Sequence, residues 1–340
     1  MLVTKGSIDT ARIKKILIIQ FRPFGDVLLA TSYLKSLKEK FPHARIDFLV
    51  KEPFQKVLYK NPWLSEIITI KPHSGLRYIL NRLRLFKAIR IRCYDLIIDQ
   101  QGGTGSGQVV LFSKAAYKLG YTQSRWQWCY DLKASLGPVR YRSFQNFDML
   151  KPLNISEQAH RPQYHVKSGS VAYAKKWMDH QGLTKEKTII ISPGSPRKKK
   201  KWNSQNFSIL VDEINLKTEM QVIILWGPQE YEDAVRVKKQ SRQGCYLAPP
   251  SDFNQAAAFL QRCRLLICND GGLNHLAVAL SVPSLAIFGN TSPLRWSAQG
   301  FFPYHYHLFN ADWKRYSDND FGITPYEAFQ RVSAILSELP

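Results

Sequence analysis

Four short turns in the second half of the chain combine glycine with polar side chains, each directly after an apolar run. They occupy residues 192–195, 226–228, 269–272 and 288–291. Glycine lets backbone N–H groups come close to a ligand, and the first N–H groups of a helix are unpaired and lie at its positive end. Alone, the 269–272 turn is more typical of an ordinary turn, because Asp-Gly is a common turn dipeptide. Four such turns at one sheet edge would suit a nucleotide diphosphate.

Charged side chains near these turns extend the same hypothesis. A basic run follows the first turn, and one of its lysines or Arg197 could neutralise a departing diphosphate. For any single lysine, a solvated loop is the more typical interpretation. In the first half, Asp26 is either a general base or a helix cap, and its spacing favours the cap. His275 fits a ligand-binding residue and a buried, hydrogen-bonded residue equally well. Neither G-x-x-x-x-G-K-[ST] nor G-x-G-x-x-G occurs, so a standard phosphate loop or dinucleotide fingerprint is not supported.

The elements that must position these residues alternate between short apolar runs and helical patterns. Strands are predicted at residues 16–19, 45–50, 66–70, 95–99, 188–192, 220–226, 265–268 and 284–288. Helical patterns lie between them, including one from Val27 for which Asp26 is the expected N-cap. This alternation predicts an α/β protein with doubly wound parallel sheets, whose ligands bind at the carboxyl ends of the strands. Residues 124–161 look irregular apart from a helix expected around Asn146 to Leu153, and a linker is predicted between residues 158 and 170.

Length and composition predict two globular domains with an anionic partner. The 340 residues are 44% hydrophobic, enough for two cores, and the net charge is +22. The predicted helix from Leu76 to Arg92 is notably rich in arginine. Five scattered cysteines without metal-binding spacing indicate reduced thiols and no zinc site. No apolar run approaches the ~18 residues of a membrane span. The polar N-terminus lacks the apolar core of a signal peptide. The Asp318-Asn319-Asp320 motif is interpreted as a loop.

The ordered set of motifs resembles glycosyltransferase family 9, the heptosyltransferases of lipopolysaccharide core synthesis. The segments that carry the resemblance are residues 16–31, 94–102, 192–195, 200–202, 227–230, 270–275 and 288–293. The family implies a GT-B fold, in which two Rossmann-like domains face each other across a cleft. On this model residues 1–165 form the acceptor-binding domain and residues 166–324 the nucleotide-sugar domain. The closing helix, residues 325–340, would return to the first domain.

The resemblance also implies roles for individual residues. Asp26 would be the catalytic base that deprotonates the acceptor hydroxyl, and Lys200 would bind the diphosphate. The implied donor-binding residues are Ser195, Glu230 (toward the ribose), Asp270, Gly271, Gly272 and His275. Arg22 and Gln101 are expected on the acceptor side, and no metal is implied. This chain departs from the family pattern in two places relevant below: Gly271 stands where a hydroxyl residue is common, and Asn146 where many members have histidine.

The implied function is inverting transfer of a heptose from ADP-heptose, a co-substrate, to an anionic glycolipid of the lipid A-Kdo type; no other cofactor is expected. The enzyme would be cytoplasmic and peripheral on the cytoplasmic face of the inner membrane, where clustered Arg and Lys would hold it. Alternatives are a GT-B enzyme with another nucleotide sugar, a non-catalytic basic protein that binds nucleic acid, and a catalytically inactive relative. The glycine turns and Asp26 have no role in nucleic-acid binding, so no specific nucleic acid is expected as a partner.

Overall fold

The computed structural model describes residues 12–71, 74–316 and 319–340. The chain divides into two compact units, Met1–His165 and Val166–Pro340. The N-terminal stretch through residue 11 and Asp318 of the Asp-Asn-Asp motif, both discussed above, lie outside the described residues. No described helix is long and apolar enough to cross a membrane.

The first unit is a six-stranded sheet with helices between its strands. Its strands are β1 (Lys15–Gln20), β2 (Arg45–Lys51), β3 (Glu66–Ile70), β4 (Leu96–Asp99), β5 (Tyr117–Tyr121) and β6 (Leu132–Ala134). Its α-helices are α1 (Phe24–Ala30), α2 (Leu34–Lys40), α3 (Gly75–Ile91), α4 (Thr104–Phe112) and α5 (Arg142–Gln145). A 3₁₀ helix, Asn146–Leu153, follows α5 at the place where the sequence analysis expected a helix. The first-unit strands β1 and β4 are buried apolar runs, as expected for the centre of a parallel sheet.

All strand pairs of this sheet are parallel, and the order is β3-β2-β1-β4-β5-β6. The chain therefore reverses its winding direction between β1 and β4, and the turns after these two strands flank that switch point. On one face of the sheet, Leu17, Ile19 and Ile97 pack with α3 and α4 residues, among them Ile89 and Val110.

The second unit repeats this architecture. Its strands are β7 (Thr188–Ser192), β8 (Gln221–Ile224), β9 (Tyr246–Leu247), β10 (Leu265–Asn269), β11 (Ser284–Phe288) and β12 (His305–Phe309). Its helices are α6 (Ser168–His180), α7 (Ser204–Lys217), α8 (Tyr231–Gln240), α9 (Phe253–Leu260), α10 (Gly272–Leu280), α11 (Pro293–Trp296) and α12 (Pro325–Glu338). The parallel order β12-β11-β10-β7-β8-β9 is the same winding pattern, with its switch point between β7 and β10.

The closing helix α12 belongs to the second unit, so the expectation that it joins the first unit is wrong. Its apolar face, which includes Ala328, Val332 and Ile335, is buried in one cluster with Ile189 and Leu210. The physical reason is its amphipathic pattern, which matches the uncovered apolar face left beside α7. A Thr324–Glu327 capping box begins the helix and satisfies two of its free N–H groups.

Two local expectations also need correction. Helix α1 begins at Phe24 with Pro23 as its N-cap, so Asp26 is not the cap but the third helical residue. Asp26 nevertheless lies in the first turn, where a carboxylate interacts favourably with the helix dipole. The predicted linker extends less far than expected, because α6 already begins at Ser168.

Candidate functional site

The predicted site residues gather at the carboxyl ends of the strands on either side of the two switch points. In the first unit, Arg22 and Asp26 follow β1, and Gln101 follows β4. In the second unit, residues 193–200 follow β7 and residues 270–275 follow β10. Crevices at such switch points are the usual ligand sites of doubly wound sheets. Each unit therefore carries a candidate site of its own, described separately below.

Asp26 in the first unit lies beside a cation. Its Oδ1 is 3.7 Å from Nη1 of Arg22, four residues earlier in the turn before α1, and 16% of its side chain is exposed. Arg22 is half exposed, so the pair lies at the surface end of the turn. A partly exposed carboxylate at this position can accept a proton from an incoming hydroxyl group.

Gln101 joins the two switch-point turns, and Asp99 anchors the second of them. The Phe21 N–H donates to Oε1 of Gln101 at 3.1 Å, which joins the turn after β1 to the turn after β4. Asp99 accepts from the Gly102 N–H at 2.9 Å and from the Tyr130 hydroxyl at 2.7 Å. Burial raises the pKa of Asp99, and these donors oppose that shift. Gln101 thus has a structural contact, and the sequence analysis missed the anchoring roles of Asp99 and Tyr130.

Asn146, the family departure in this unit, belongs to a buried polar network. Nε2 of Gln100 donates to Oδ1 of Asn146 and to the Tyr121 hydroxyl, both at 2.9 Å. Gln100 and Asn146 are each 1% exposed. The Asn146 side-chain oxygen therefore satisfies the buried amide donor of Gln100 and helps to position Gln100, the residue just before Gln101.

Lys200 and Asp270 form an ion pair in the second unit, with Nζ of Lys200 donating to Oδ2 of Asp270. Their side chains are 16% and 4% exposed. Within the basic run, Lys200 and Lys201 are partly buried and paired, Lys201 with Asp233, whereas Lys198 and Lys199 are exposed. The run is therefore not a uniform charged surface, because its last two lysines, Lys200 and Lys201, are held in ion pairs.

Trp202 and Asn269 position this lysine. The Trp202 backbone N–H donates to Oδ1 of Asn269 at 2.9 Å, and its indole N–H donates to the Ile323 carbonyl oxygen at 3.0 Å. Asn269 Nδ2 donates to the Pro193 carbonyl oxygen at 2.8 Å. One amide side chain thus connects the turn after β7, the end of β10 and the lysine segment. The sequence analysis missed this role of Asn269. A polar residue at the end of an apolar strand was the feature that could have indicated it.

Glu230 lies against the glycine turn after β7. Its Oε2 accepts from the Gly227 N–H at 3.0 Å, and burial raises its pKa. A Cβ at Gly194 would come 2.4 Å from Glu230 Cδ and 2.7 Å from its Cβ. Only glycine at position 194 allows Glu230 to lie in this place. Ser195, also in this turn, is buried, and its Oγ accepts from the Arg197 N–H at 3.4 Å.

The N-terminus of α10 supplies backbone donors beside the Lys200–Asp270 pair. The helix begins at Gly272, and its first N–H groups have no partner within the helix. Gly271 has an extended backbone with φ −174°, and a Cβ there would meet only the Asn269 carbonyl oxygen, at 3.8 Å. This position has room for a side chain and does not require glycine. Gly271 therefore leaves open space where a hydroxyl residue is common in the family.

His275 lies in the first turn of α10 and is 4% exposed. Burial lowers its pKa to about 4, and the neighbouring Lys200 contributes in the same direction while Asp270 opposes it. The ring is therefore neutral near pH 7, and its centroid lies 5.9 Å from that of Trp296. In the described part of the chain, no three His, Cys, Asp or Glu side chains are placed to hold a metal ion.

The donor-side residues that the sequence analysis named are brought together in the second unit, around the carboxyl ends of β7 and β10. In the first unit, Arg22, Asp26 and Gln101 share one edge of the sheet. A lysine, a helix N-terminus and glycine turns form an arrangement that can bind a diphosphate, and a surface carboxylate can remove a proton. The chemistry that this combination suits is group transfer from a nucleotide-activated donor.

Comparisons with known proteins agree with this chemistry. A family model described as glycosyltransferase family 9 (heptosyltransferase) matches residues 82–314. Lipopolysaccharide heptosyltransferase 3 of Escherichia coli is 25% identical over 284 residues, covering 80% of this chain and 82% of that protein. A glycosyl transferase family 9 structure from Veillonella parvula superposes with a TM-score of 0.84 at 21% identity, covering 96% of this chain and 97% of that chain.

The E. coli heptosyltransferase WaaC, solved with ADP-2-deoxy-2-fluoro heptose, has a TM-score of 0.73 at 18% identity and covers 94% of this chain and 99% of its own. These structural likenesses show the fold, which is of the GT-B class with two Rossmann-like units. The family model spans more than half of the sequence and includes most of the second-unit site. The chain therefore belongs to glycosyltransferase family 9, the heptosyltransferase family.

Proposed function

We propose that this protein transfers a heptose from ADP-heptose to a hydroxyl group of a lipopolysaccharide core acceptor, with inversion at the anomeric carbon. The observation that carries the proposal is Lys200, held by Asp270 at the N-terminus of α10, where its ammonium group and the free helix N–H groups can bind a diphosphate within a family 9 glycosyltransferase. The names of the relatives support the sugar and the acceptor: one is a lipopolysaccharide heptosyltransferase, and another was solved with an ADP-heptose analogue.

In the proposed reaction, Asp26 accepts the proton of the acceptor hydroxyl as its oxygen attacks the anomeric carbon. A new C–O bond forms while the bond between the anomeric carbon and the β-phosphate oxygen breaks, and ADP leaves with the electron pair. Lys200 and the free N–H groups of α10 stabilise the charge that develops on the diphosphate.

The remaining predicted residues bind the donor. Glu230 binds the ribose through Oε1, because its Oε2 is occupied by the Gly227 N–H. Ser195, Gly272 and the neutral His275 contact the phosphates, and Gly271 leaves one contact unmade. On the acceptor side, Arg22 binds an anionic group of the glycolipid next to Asp26. The acceptor is lipid-linked, so we propose that the protein works as a peripheral protein on the cytoplasmic face of the inner membrane.

The test is release of nucleoside diphosphate by the purified protein, measured with a panel of ADP-heptose, ADP-glucose and UDP-sugars and a deacylated core acceptor. We expect turnover with ADP-heptose and a loss of at least about 100-fold in kcat for Asp26→Asn, with ADP affinity unchanged. Glu39→Gln, which alters an exposed acid of the same unit, is the control. Turnover with a UDP-sugar but not ADP-heptose would reassign the donor, and an active Asp26→Asn enzyme would remove Asp26 as the base.

A further inference from the structure

Helix α3 exposes a set of large apolar side chains that no described element covers. Ile91, Leu83, Leu80 and Ile79 are 67%, 57%, 54% and 53% exposed, respectively. Exposed hydrophobic residues elsewhere in the described chain are mostly scattered, whereas here five lie on one helix, including Tyr78 at 47% exposure. Single exposed apolar residues are ordinary on protein surfaces, but a contiguous group indicates an interaction site.

The same helix carries only positive charge. No Asp or Glu occurs between Glu66 and Asp95, a stretch that contains Arg84, Lys87 and Arg90, all exposed. The ion pairs found among the described residues involve none of these three cations. At helical spacing Leu80, Arg84, Lys87 and Ile91 share the outward face. This surface, the α3 outer face, is defined here as Leu80, Leu83, Arg84, Lys87, Arg90 and Ile91.

The inner face of α3 is anchored, so its outer face cannot simply rotate inward. Arg82 is 8% exposed and donates from Nη2 to the Gly105 carbonyl oxygen and, at 3.0 Å, to Oε1 of Gln108 on α4. Phe86 packs against Phe112 with ring centroids 4.9 Å apart. Phe112 is itself 48% exposed, so the apolar surface continues onto α4. The exposed leucines and isoleucine are therefore held in a fixed outward orientation.

We propose that the α3 outer face is a membrane-docking surface that binds a bilayer rich in anionic phospholipids. Arg84, Lys87 and Arg90 contact the headgroups, and Leu80, Leu83 and Ile91 enter the boundary between headgroups and acyl chains. This inference rests on the proposed function in one respect, that the acceptor is lipid-linked. Docking would hold the first unit, which carries Arg22 and Asp26, at the lipid surface.

Charge decides between a membrane and other occupants. In a two-fold dimer the same patch would meet itself and place the cations of Arg84, Lys87 and Arg90 against like charges, which opposes association. Nucleic acid would match the cations but would leave the leucine and isoleucine side chains in water. An anionic bilayer satisfies both the charges and the apolar side chains.

The experiment is co-sedimentation with sucrose-loaded vesicles, either pure phosphatidylcholine or phosphatidylcholine mixed with phosphatidylglycerol. The full-length protein is compared with Arg84→Gln/Lys87→Gln, with Leu80→Asn/Leu83→Asn and with the control Leu216→Asn/Lys239→Gln. The control removes one exposed leucine and one exposed cation from the second unit, where Leu216 is 62% exposed. All these side chains are exposed, so each variant is expected to fold, which near-ultraviolet circular dichroism checks.

We expect wild-type protein to bind the anionic vesicles and to dissociate as salt rises. Each cation near the surface contributes roughly a fivefold factor in partitioning, so the arginine–lysine variant should bind about 25-fold more weakly. The double-leucine variant should lose roughly tenfold or more, and the control should bind as wild type. Equal binding to both vesicle types, or unchanged binding by both α3 variants, would overturn the proposal. So would a wild-type dimer in sedimentation velocity that the α3 variants dissociate.

Transfer to the deacylated, water-soluble acceptor separates this inference from the proposed function. The α3 variants should keep wild-type turnover on that acceptor while losing activity on acceptor embedded in anionic vesicles. Wild-type protein that binds vesicles but never transfers heptose would refute the proposed function and leave the docking surface intact. Variants that lose turnover equally on both acceptors would refute the docking role.

Discussion

A methyl group at position 194 should specifically weaken nucleotide binding. In Gly194→Ala, the new Cβ would lie 2.4 Å from Cδ, 2.5 Å from Oε2 and 2.7 Å from Cβ of Glu230. Ordinary carbon contacts are about 3.5–4.0 Å, so the overlap is roughly 1 Å at three atoms. The Glu230 backbone is held at the start of α8, where its carbonyl oxygen accepts from the Ala234 N–H at 3.2 Å. The side chain must therefore move.

Displacement of Glu230 has two costs. The Gly227 N–H loses its acceptor, which destabilises the protein by about 1–3 kcal/mol if water does not replace the carboxylate. The ribose loses a charged hydrogen-bond partner worth about 1.5–3 kcal/mol, which corresponds to about 10- to 150-fold weaker ADP binding. Isothermal titration with ADP measures the second cost, and thermal unfolding measures the first.

A double-mutant cycle tests whether the effect runs through Glu230. Glu230→Gly removes the clashing atoms, so adding Gly194→Ala in that background should cost little further affinity. Gly271→Ala is the matched control, because its nearest neighbouring atom would be 3.8 Å away, and it should bind ADP as wild type. Full ADP affinity in Gly194→Ala, or additive losses in the double variant, would refute the reasoning.

Three further predictions concern the second-unit corner. Lys200→Met should weaken ADP binding at least about tenfold and should destabilise the unit, because it leaves Asp270 buried without its cation. Adding Asp270→Asn should restore stability but not ADP affinity. The control Lys199→Met should bind ADP as wild type in the same titrations. Gly271→Ser should tighten ADP binding about two- to tenfold, because the position has room for a hydroxyl group, and unchanged or weaker binding would contradict this. Burial lowers the His275 pKa to about 4, well below the value of about 6.5 in an unfolded chain. Its contribution to stability is therefore complete above pH 6.5 and falls by up to about 3 kcal/mol as the pH drops toward 4. Urea unfolding of His275→Asn should show a flatter pH dependence in that window.

Most strands could be predicted from sequence, including the edge strand β3, but β5, β6, β9 and β12 could not. Residues 16–19, 95–99, 188–192 and 265–268 are continuous apolar runs because both faces of a central parallel strand are buried. The edge strands β6 and β12 are only partly buried, so their sequences resemble those of loops. The domain assignment of α12 was wrong because its amphipathic pattern shows that it packs, but not on which unit.

For the candidate sites, the type of chemistry was predictable but the contacts were not. Parallel strands place their following turns at one edge, so glycine turns after apolar runs locate a site without coordinates. The pairing of Lys200 with Asp270 joins residues 70 positions apart, and nothing local in the basic run distinguishes Lys200 from Lys199. Only the family resemblance selected it. The prediction that Asp26 caps helix α1 was wrong because the helix begins at Phe24, two residues before Asp26.

The placement of α12 has a consequence for the order in which the protein matures during translation. The first unit is contiguous through His165 and can fold once those residues leave the ribosome. In the second unit, the Trp202 indole that supports Lys200 is held by Ile323, and the core beneath it is closed by Val332 and Ile335. The nucleotide corner is therefore completed only after α12 has emerged. A nascent chain stalled before residue 325 would carry a finished first unit but could not hold ADP.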